Sequence, residues 1–320
     1  MPSRPRFVVI LTLLLTLLCS DLSPLSTVRQ SILAADVRDR AVVSLTFDDM
    51  PAADAKTAAD SAKSGKVPDV VTLTSSPART VSAFAPGAGY SLLLNSTKQQ
   101  QVSVAHSEDL NRPDAVSVTG FFASMHPLND PAVHGLFAKR KADAPNNTNF
   151  GINYIANADN FQLYVNDGNG FKVVHYSVKS TIGFRRRVHL AACLDQGDAP
   201  GADADADADD VRVRLFVNGA IATPTNASGG LVDGATGWIQ DVTLAKCASD
   251  APMTIGSSFA NSEMTRMVCD DIHLFAEALS DADAATLFRE VAGSAAEEIS
   301  KEQSGGSAAN VEMPSIVRLT

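Results

Sequence analysis

Val211-Arg-Val-Arg-Leu-Phe-Val-Asn-Gly219 decides the fold. Val211, Val213, Leu215 and Val217 alternate with Arg212, Arg214 and Phe216. That period belongs to a strand with one buried face and one mostly wet face. Asn218-Gly219 adds two residues that tolerate positive φ, the chemistry of a tight hairpin. Upstream lies a second short apolar strand, Val188-His-Leu-Ala-Ala-Cys-Leu194. The same pattern recurs in both directions. Before it come Ala41–Phe47, Tyr90–Asn95, Gln101–Ala105, Ala115–Phe122, Gly135–Lys139, Phe150–Ile155, Phe161–Val165 and Phe171–Val178; after it come Trp238–Leu244, Met253–Ile255 and Met267–Phe275. Asn166-Asp-Gly-Asn-Gly170 is another hairpin signal. Many short strands, explicit turn residues and almost no helix predict an all-β chain, a two-sheet antiparallel sandwich.

One helix is expected. Ser280 precedes Asp281–Ala292 and Gly293 follows. The serine hydroxyl can cap free amides, Asp281 and Asp283 suit the positive end of the dipole, and the glycine stops the helix. Residues 294–320 are rich in Ser, Ala, Glu and Gly and read as a flexible tail. Two inserts are expected in the sandwich. Residues 51–80, rich in Ala, Asp, Lys and Ser, read as a long loop, and the acidic run 198–210 reads as a hairpin tip. That run offers hard oxygen donors, but it lacks the glycine turn and fixed spacing of an EF-hand.

The 320 residues are 45% hydrophobic, which excludes global disorder, and carry a formal charge of −10. Arg4 and Arg6 followed by the apolar run Phe7–Leu18 form the basic and hydrophobic regions of an export signal, too short for an ordinary membrane span. Residues 1–35 are read as signal and lead, with cleavage near 20 or near 35. Losing two arginines makes the mature charge −10 − 2 = −12. A chain of that sign has no electrostatic reason to bind nucleic acid or anionic lipid. The expected location is secreted, extracellular or periplasmic. Three cysteines remain beyond the leader, Cys193, Cys247 and Cys269, with no Cys-x-x-Cys pair. One disulfide plus one thiol, or three buried thiols, both fit.

Several segments resemble, in order, those of the LamG-like, concanavalin A-like jelly-roll domains of secreted bacterial proteins. They begin with Gly89-Tyr-Ser-Leu-Leu-Leu94, Gln101–Val104 and Ala115–Phe122. Then come Arg187-Val-His-Leu-Ala-Ala-Cys-Leu-Asp195, Leu215-Phe-Val-Asn-Gly219, Met253-Thr-Ile-Gly256 and Asp270-Asp-Ile-His-Leu-Phe-Ala-Glu-Ala-Leu-Ser280. Arg187 stands where the family pattern has Trp, and Asn218 where it has Asp. The resemblance covers roughly 37–293 and implies a jelly roll. It implies little about activity, because the fold hosts lectins, hydrolases, adhesion modules and spacers.

Catalytic patterns are missing from the sequence. Relatives that cleave glucans need paired carboxylates on one strand face. The glutamates here, at 108, 263, 277, 290, 297, 298, 302 and 312, form no such pattern. Thr46-Phe-Asp-Asp49 opens like a polysaccharide deacetylase motif. However, Met50 replaces its glycine, and the histidines at 106, 126, 134, 175, 189 and 273 contain no H-x-x-x-H pair. His189 and His273 fall inside strand patterns and read as packed sheet residues. No serine-hydrolase elbow or H-E-x-x-H motif occurs. A non-catalytic module is therefore expected, with an extracellular glycan or protein as partner; a spacer without a ligand is the alternative class, and an unrecognised hydrolase a third. The aromatic candidates for a sugar platform are Trp238, Tyr154 and Tyr164. Jelly-roll relatives often hold a structural calcium ion. Asp48 and Asp271 are its candidate ligands here, with carbonyls of residues 87–89; the other reading has both aspartates capping loops or accepting backbone amides.

Overall fold

The computed structural model describes residues 36–48, 55–64, 69–81, 89–111, 114–127, 129–141, 148–158, 160–177, 187–199, 210–228, 232–233, 237–258 and 263–292. The signal and lead, the tip of the acidic run at 200–209, Arg185, Arg186 and the tail lie outside these residues.

The strands are β1 (Val43–Leu45), β2 (Thr57–Ala58), β3 (Val71–Thr74), β4 (Ala78–Val81), β5 (Tyr90–Leu94), β6 (Gln101–Val104) and β7 (Ala115–Ser124). Next come β8 (Val133–Arg140), β9 (Thr148–Ile155), β10 (Asn160–Asp167), β11 (Phe171–Ser177), β12 (Arg187–Gly197) and β13 (Asp210–Val217). The series ends with β14 (Ala220–Ile221), β15 (Asn226–Ser228), β16 (Val232–Asp233), β17 (Trp238–Ile239), β18 (Met253–Ile255) and β19 (Met267–Phe275). Helix α1 is a single turn, Leu244–Cys247, and α2 spans Asp281–Ala292.

Two antiparallel sheets form, as the alternation predicts. Sheet 1 has the order β16-β17-β13-β12-β7-β19-β5-β4, with β1 beside β19 and β14 beside β13. Sheet 2 has the order β15-β11-β10-β9-β8-β18-β6-β3-β2. Val211, Val213, Leu215 and Val217 all point into the main core, as their alternation requires. There they meet Phe150, Ile152, Phe161, Leu163 and Val174 from sheet 2. β12 and β13 pair from Leu190 opposite Val217 to Gly197 opposite Asp210, so the acidic run does join two strands of a hairpin.

Residues 51–80 differ from the loop expected of them. Their described parts contain β2, β3 and most of β4. Val71 and Leu73 are buried while Thr72 faces out, and β3 pairs along β6. The polar composition of the segment concealed a four-residue alternation whose partner lies about thirty residues downstream. Among the described residues the cysteines, Cys193, Cys247 and Cys269, are free thiols and all buried.

The two sheets have unlike outer faces. On sheet 1, Ala191, Cys193, Phe216 and Phe275 join Leu279, Ala284 and Leu287 of the α2 region, together with Val37 and Ala41, in a second apolar cluster. Helix α2 and the helical turn at 36–39 therefore cover that face. Among the described residues, the more open face belongs to sheet 2.

Candidate recognition face

Parity within each strand assigns the outer face of sheet 2. Phe150, Ile152, Tyr154, Phe161, Leu163, Val165, Val174 and Tyr176 face the core. Their alternates, among them Arg140, Gly151, Asn153, Gln162, Tyr164, Phe171, Val173 and His175, project the other way. Pairing aligns them in rows. Phe171 lies opposite Asn166, Val173 opposite Tyr164, and His175 opposite Gln162. Gly151 lies opposite Tyr164, and Asn153 opposite Gln162.

Phe171 is the exposed aromatic of this face, at 40% accessibility. It follows the turn at 166–170, where the Asn166 carboxamide accepts the amides of Gly168 and Gly170 at 2.9 and 3.1 Å. That side chain is therefore committed to holding the hairpin. The Tyr164 ring meets Phe171 edge-on, 5.5 Å between centroids with 68° between planes. The Arg140 guanidinium carbon lies 5.1 Å from the Phe171 centroid, within cation–π range. Tyr164 itself is buried, and burial pushes its phenol above the ordinary value. His175 is half-buried, and burial lowers its pKa, which favours the neutral ring with one donor and one acceptor nitrogen.

A strap overlies the other side of the face. Thr254 Oγ1 donates to Ser257 O at 2.8 Å, and Ser258 Oγ donates to Asn153 Oδ1 at 2.8 Å. Thr265 Oγ1 donates to Gly135 O at 2.6 Å. These bonds seat residues 256–258 and 263–266 over β8, β9 and β18. The half formed by β10 and β11 keeps Phe171, Val173, Gln162 and His175 partly accessible.

The three aromatics expected to form a platform do not come together on one exposed surface. Tyr154 is in the core, 5.2 Å from Phe161. Tyr164 is on the outer face of sheet 2 but buried beneath its neighbours. Trp238 is half-buried on β17 of sheet 1, paired with Arg212. Phe171, Arg140, Gln162 and His175 were not singled out from sequence. The signal for Phe171 was there, because it directly follows an Asn-Asp-Gly-Asn-Gly turn and shares parity with His175.

The two candidate calcium ligands are each engaged by the protein. Asp48 Oδ1 accepts the Tyr90 amide at 2.8 Å. Asp271 pairs with Arg38 at 3.2 Å and with His273 at 3.1 Å. The Asp48 contact is of the kind the other reading names, a backbone amide; the Asp271 partners are charged side chains instead.

What these observations define is an antiparallel two-sheet sandwich with one face covered and one partly open. No family model and no curated protein matches the chain. Solved structures do. One is of botulinum neurotoxin type C, described with cell entry dependent upon interaction with two ganglioside molecules. It is 14% identical, with a TM-score of 0.53 over 80% of this chain and 53% of its own. The botulinum neurotoxin serotype D/C binding domain gives 15% identity and 0.52 over the same shares of 80% and 53%. The binding domain of neurotoxin DC in complex with SialylT gives 14% and 0.51 over 80% and 52%. The chain thus spans about half the length of these structures, and at such identity the likeness is one of fold.

Proposed function

We propose that the chain is an exported, non-catalytic module of LamG-like type that binds an extracellular glycan, free or carried on a protein, through the outer face of sheet 2. The carrying observation is Phe171: an exposed ring held in place by Tyr164 and Arg140 at the open end of a polar sheet face. Sugars present apolar C–H faces ringed by hydroxyls, so a site for them combines an aromatic plane with a few fixed polar groups. Gln162 and His175 supply donors and acceptors along the same face, and Arg140 supplies a charge that suits an acidic sugar. The fold likeness to binding domains described with gangliosides and SialylT agrees with this reading. A pure spacer has no use for a half-exposed aromatic beside a guanidinium on its open face.

A glycan array with the full chain tests it. Binding to a subset of glycans is expected, and Phe171→Ala should weaken it about tenfold, the loss of about 1.4 kcal/mol of ring contact. Trp238→Ala should leave it unchanged. No binding to any glycan, or loss with Trp238→Ala but not with Phe171→Ala, defeats the proposal.

A further inference from the structure

His126 and Asp130 lie in the connection from β7 to β8, and His134, four residues further on, is the second residue of β8. Their ligating atoms all lie within 4.8 Å of one another. The described residues of this connection are not helical, in keeping with Pro127 and Pro131. The carboxylate reaches both rings because the connection folds back: the Asp130 amide donates to Pro127 O at 3.0 Å. Asp130 Oδ1 accepts the Ala132 amide at 2.9 Å, which leaves Oδ2 for the rings. Oδ2 is 3.2 Å from His126 Nδ1 and 3.2 Å from His134 Nε2.

The proton inventory does not close. Arg266 N–H donates to His126 Nε2 at 2.7 Å, so the proton of that neutral ring sits on Nδ1 and faces Asp130. His134 Nδ1 faces Met264 O at 3.4 Å and Nε2 faces Asp130 Oδ2 at 3.2 Å; both oxygens only accept, so the single proton of a neutral ring serves one of them, taken here as the carbonyl on Nδ1. His134 Nε2 then directs a lone pair at a carboxylate oxygen. It is buried with no hydrogen-bond partner, on a residue only 4% exposed. Either a second proton on His134 or a metal ion between the two acceptors closes the gap.

We propose that His126, Asp130 and His134 form a binding site for one divalent transition-metal ion of the zinc type. Two imidazoles and a carboxylate are the donors such ions prefer, whereas calcium and magnesium prefer all-oxygen sets. Donors at about 2.05 Å from a tetrahedral ion are about 3.3 Å apart, close to the two carboxylate-to-ring distances of 3.2 Å found here. His134 already has its outer-shell partner, with Nδ1 toward the Met264 carbonyl. Loading requires two adjustments. The rings, now stacked 3.4 Å apart at 17°, must open so that both lone pairs meet the ion in plane. His126 bonded through Nδ1 carries its proton on Nε2, so the Arg266 amide contact must give way. Both adjustments act on the 263–266 strap that overlies sheet 2, and so loading would move the strap. The site stands on its own geometry, whether or not the outer face binds a glycan.

The test uses the full, untagged chain stripped of metal, then offered zinc chloride and desalted. Elemental analysis should return one zinc per chain. The melting temperature should rise by several degrees with zinc and stay put with calcium or magnesium. His134→Gln and Asp130→Asn should lose both the ion and the rise. Wild-type stoichiometry decides the question even if a variant fails to fold. Less than about half an equivalent of zinc retained by the wild type overturns the site. So does full zinc retention by folded His134→Gln, or a melting temperature that responds to protonation between pH 5 and 7 but not to zinc, for then a proton alone fills the gap.

Discussion

At the scale of single residues, Gly151 shows how closely the outer face is built. A Cβ at this position would lie 2.4 Å from the Tyr164 hydroxyl and 2.6 Å from the Phe137 carbonyl oxygen. The second contact is with backbone of the adjacent strand, so it cannot be relieved by a rotamer change. Gly151→Ala should therefore cost about 1–3 kcal/mol, read as a lower denaturant midpoint with unchanged slope. Because the hydroxyl it strikes belongs to the ring beside Phe171, glycan affinity should fall as well. An unchanged midpoint would show that Tyr164 does not lie over this glycine. Parity explains what sequence could show at this scale. Phe150-x-Ile152-x-Tyr154 places Tyr154 with the core, and Tyr164 is out of phase with Phe161, Leu163 and Val165. Aromatic identity alone does not say which face a ring takes; strand phase does. The 4 + 4 spacing of His126, Asp130 and His134 was equally plain in the sequence. A search for histidine pairs passes over it, and only the β7–β8 connection brings the three together.

At the scale of elements, α2 is where composition and structure agree most closely. Ser280 Oγ accepts the Asp283 amide at 3.1 Å, and the Ser280 amide donates back to Asp283 Oδ2 at 3.1 Å. This reciprocal box was half legible, since the serine cap was read but the returning aspartate was read only as a dipole partner. Ser280→Ala should destabilise by about 1 kcal/mol. Leu287→Ala, at a residue 1% exposed in the cluster beneath the helix, should cost about 2–5 kcal/mol. Thermal melts of the two variants give the comparison. Equal effects would mean that the packed Leu287 contributes no more than the cap. The strands of residues 57–81 were the least legible elements. They are short and locally polar, and their partners lie elsewhere: β3 pairs with β6 and carries β2 on its other edge, while β4 pairs with β5 in the other sheet. Pairing of that kind leaves no local trace beyond a brief alternation.

At the scale of the molecule, a partly buried ionic group ties the first described turn to α2 across sheet 1. Arg38 contacts Asp271 at 3.2 Å and Glu290 at 3.5 Å, and Asp271 contacts His273 at 3.1 Å. His189 lies alongside, its ring 4.8 Å from Phe121 and 6.1 Å from Phe288. Burial by itself would lift the Asp271 carboxyl, yet His273 first, then Arg38 and His189, carry it down to about 2. Asp271 therefore contributes stability that is complete above its ordinary value of 3.8 and is lost as pH falls toward 2. Burial pushes His189 down from 6.5 to about 3, so the folded state refuses a proton that the unfolded chain accepts. Its contribution begins to fade as pH drops below 6.5 and continues down to about 3. Both groups act in the same direction. The melting temperature in metal-free buffer should be level between about pH 7 and 8 and fall steadily on acidification below that range. His126, lowered to about 4 by burial and by His134, adds to the same limb. His189→Phe, with aromatic neighbours on both sides, should flatten part of the fall between pH 6.5 and 4 and leave the steeper loss below pH 4 to Asp271. Asp271→Ala should lower the melt at pH 7 and make it less sensitive to acid below pH 4. Added calcium should shift neither melt if Arg38 and His273 are the partners that hold this carboxylate. A rise with calcium in the wild type that disappears in Asp271→Ala would instead make the last strand a metal ligand, and the closure of the molecule would then depend on an ion and not on its own side chains.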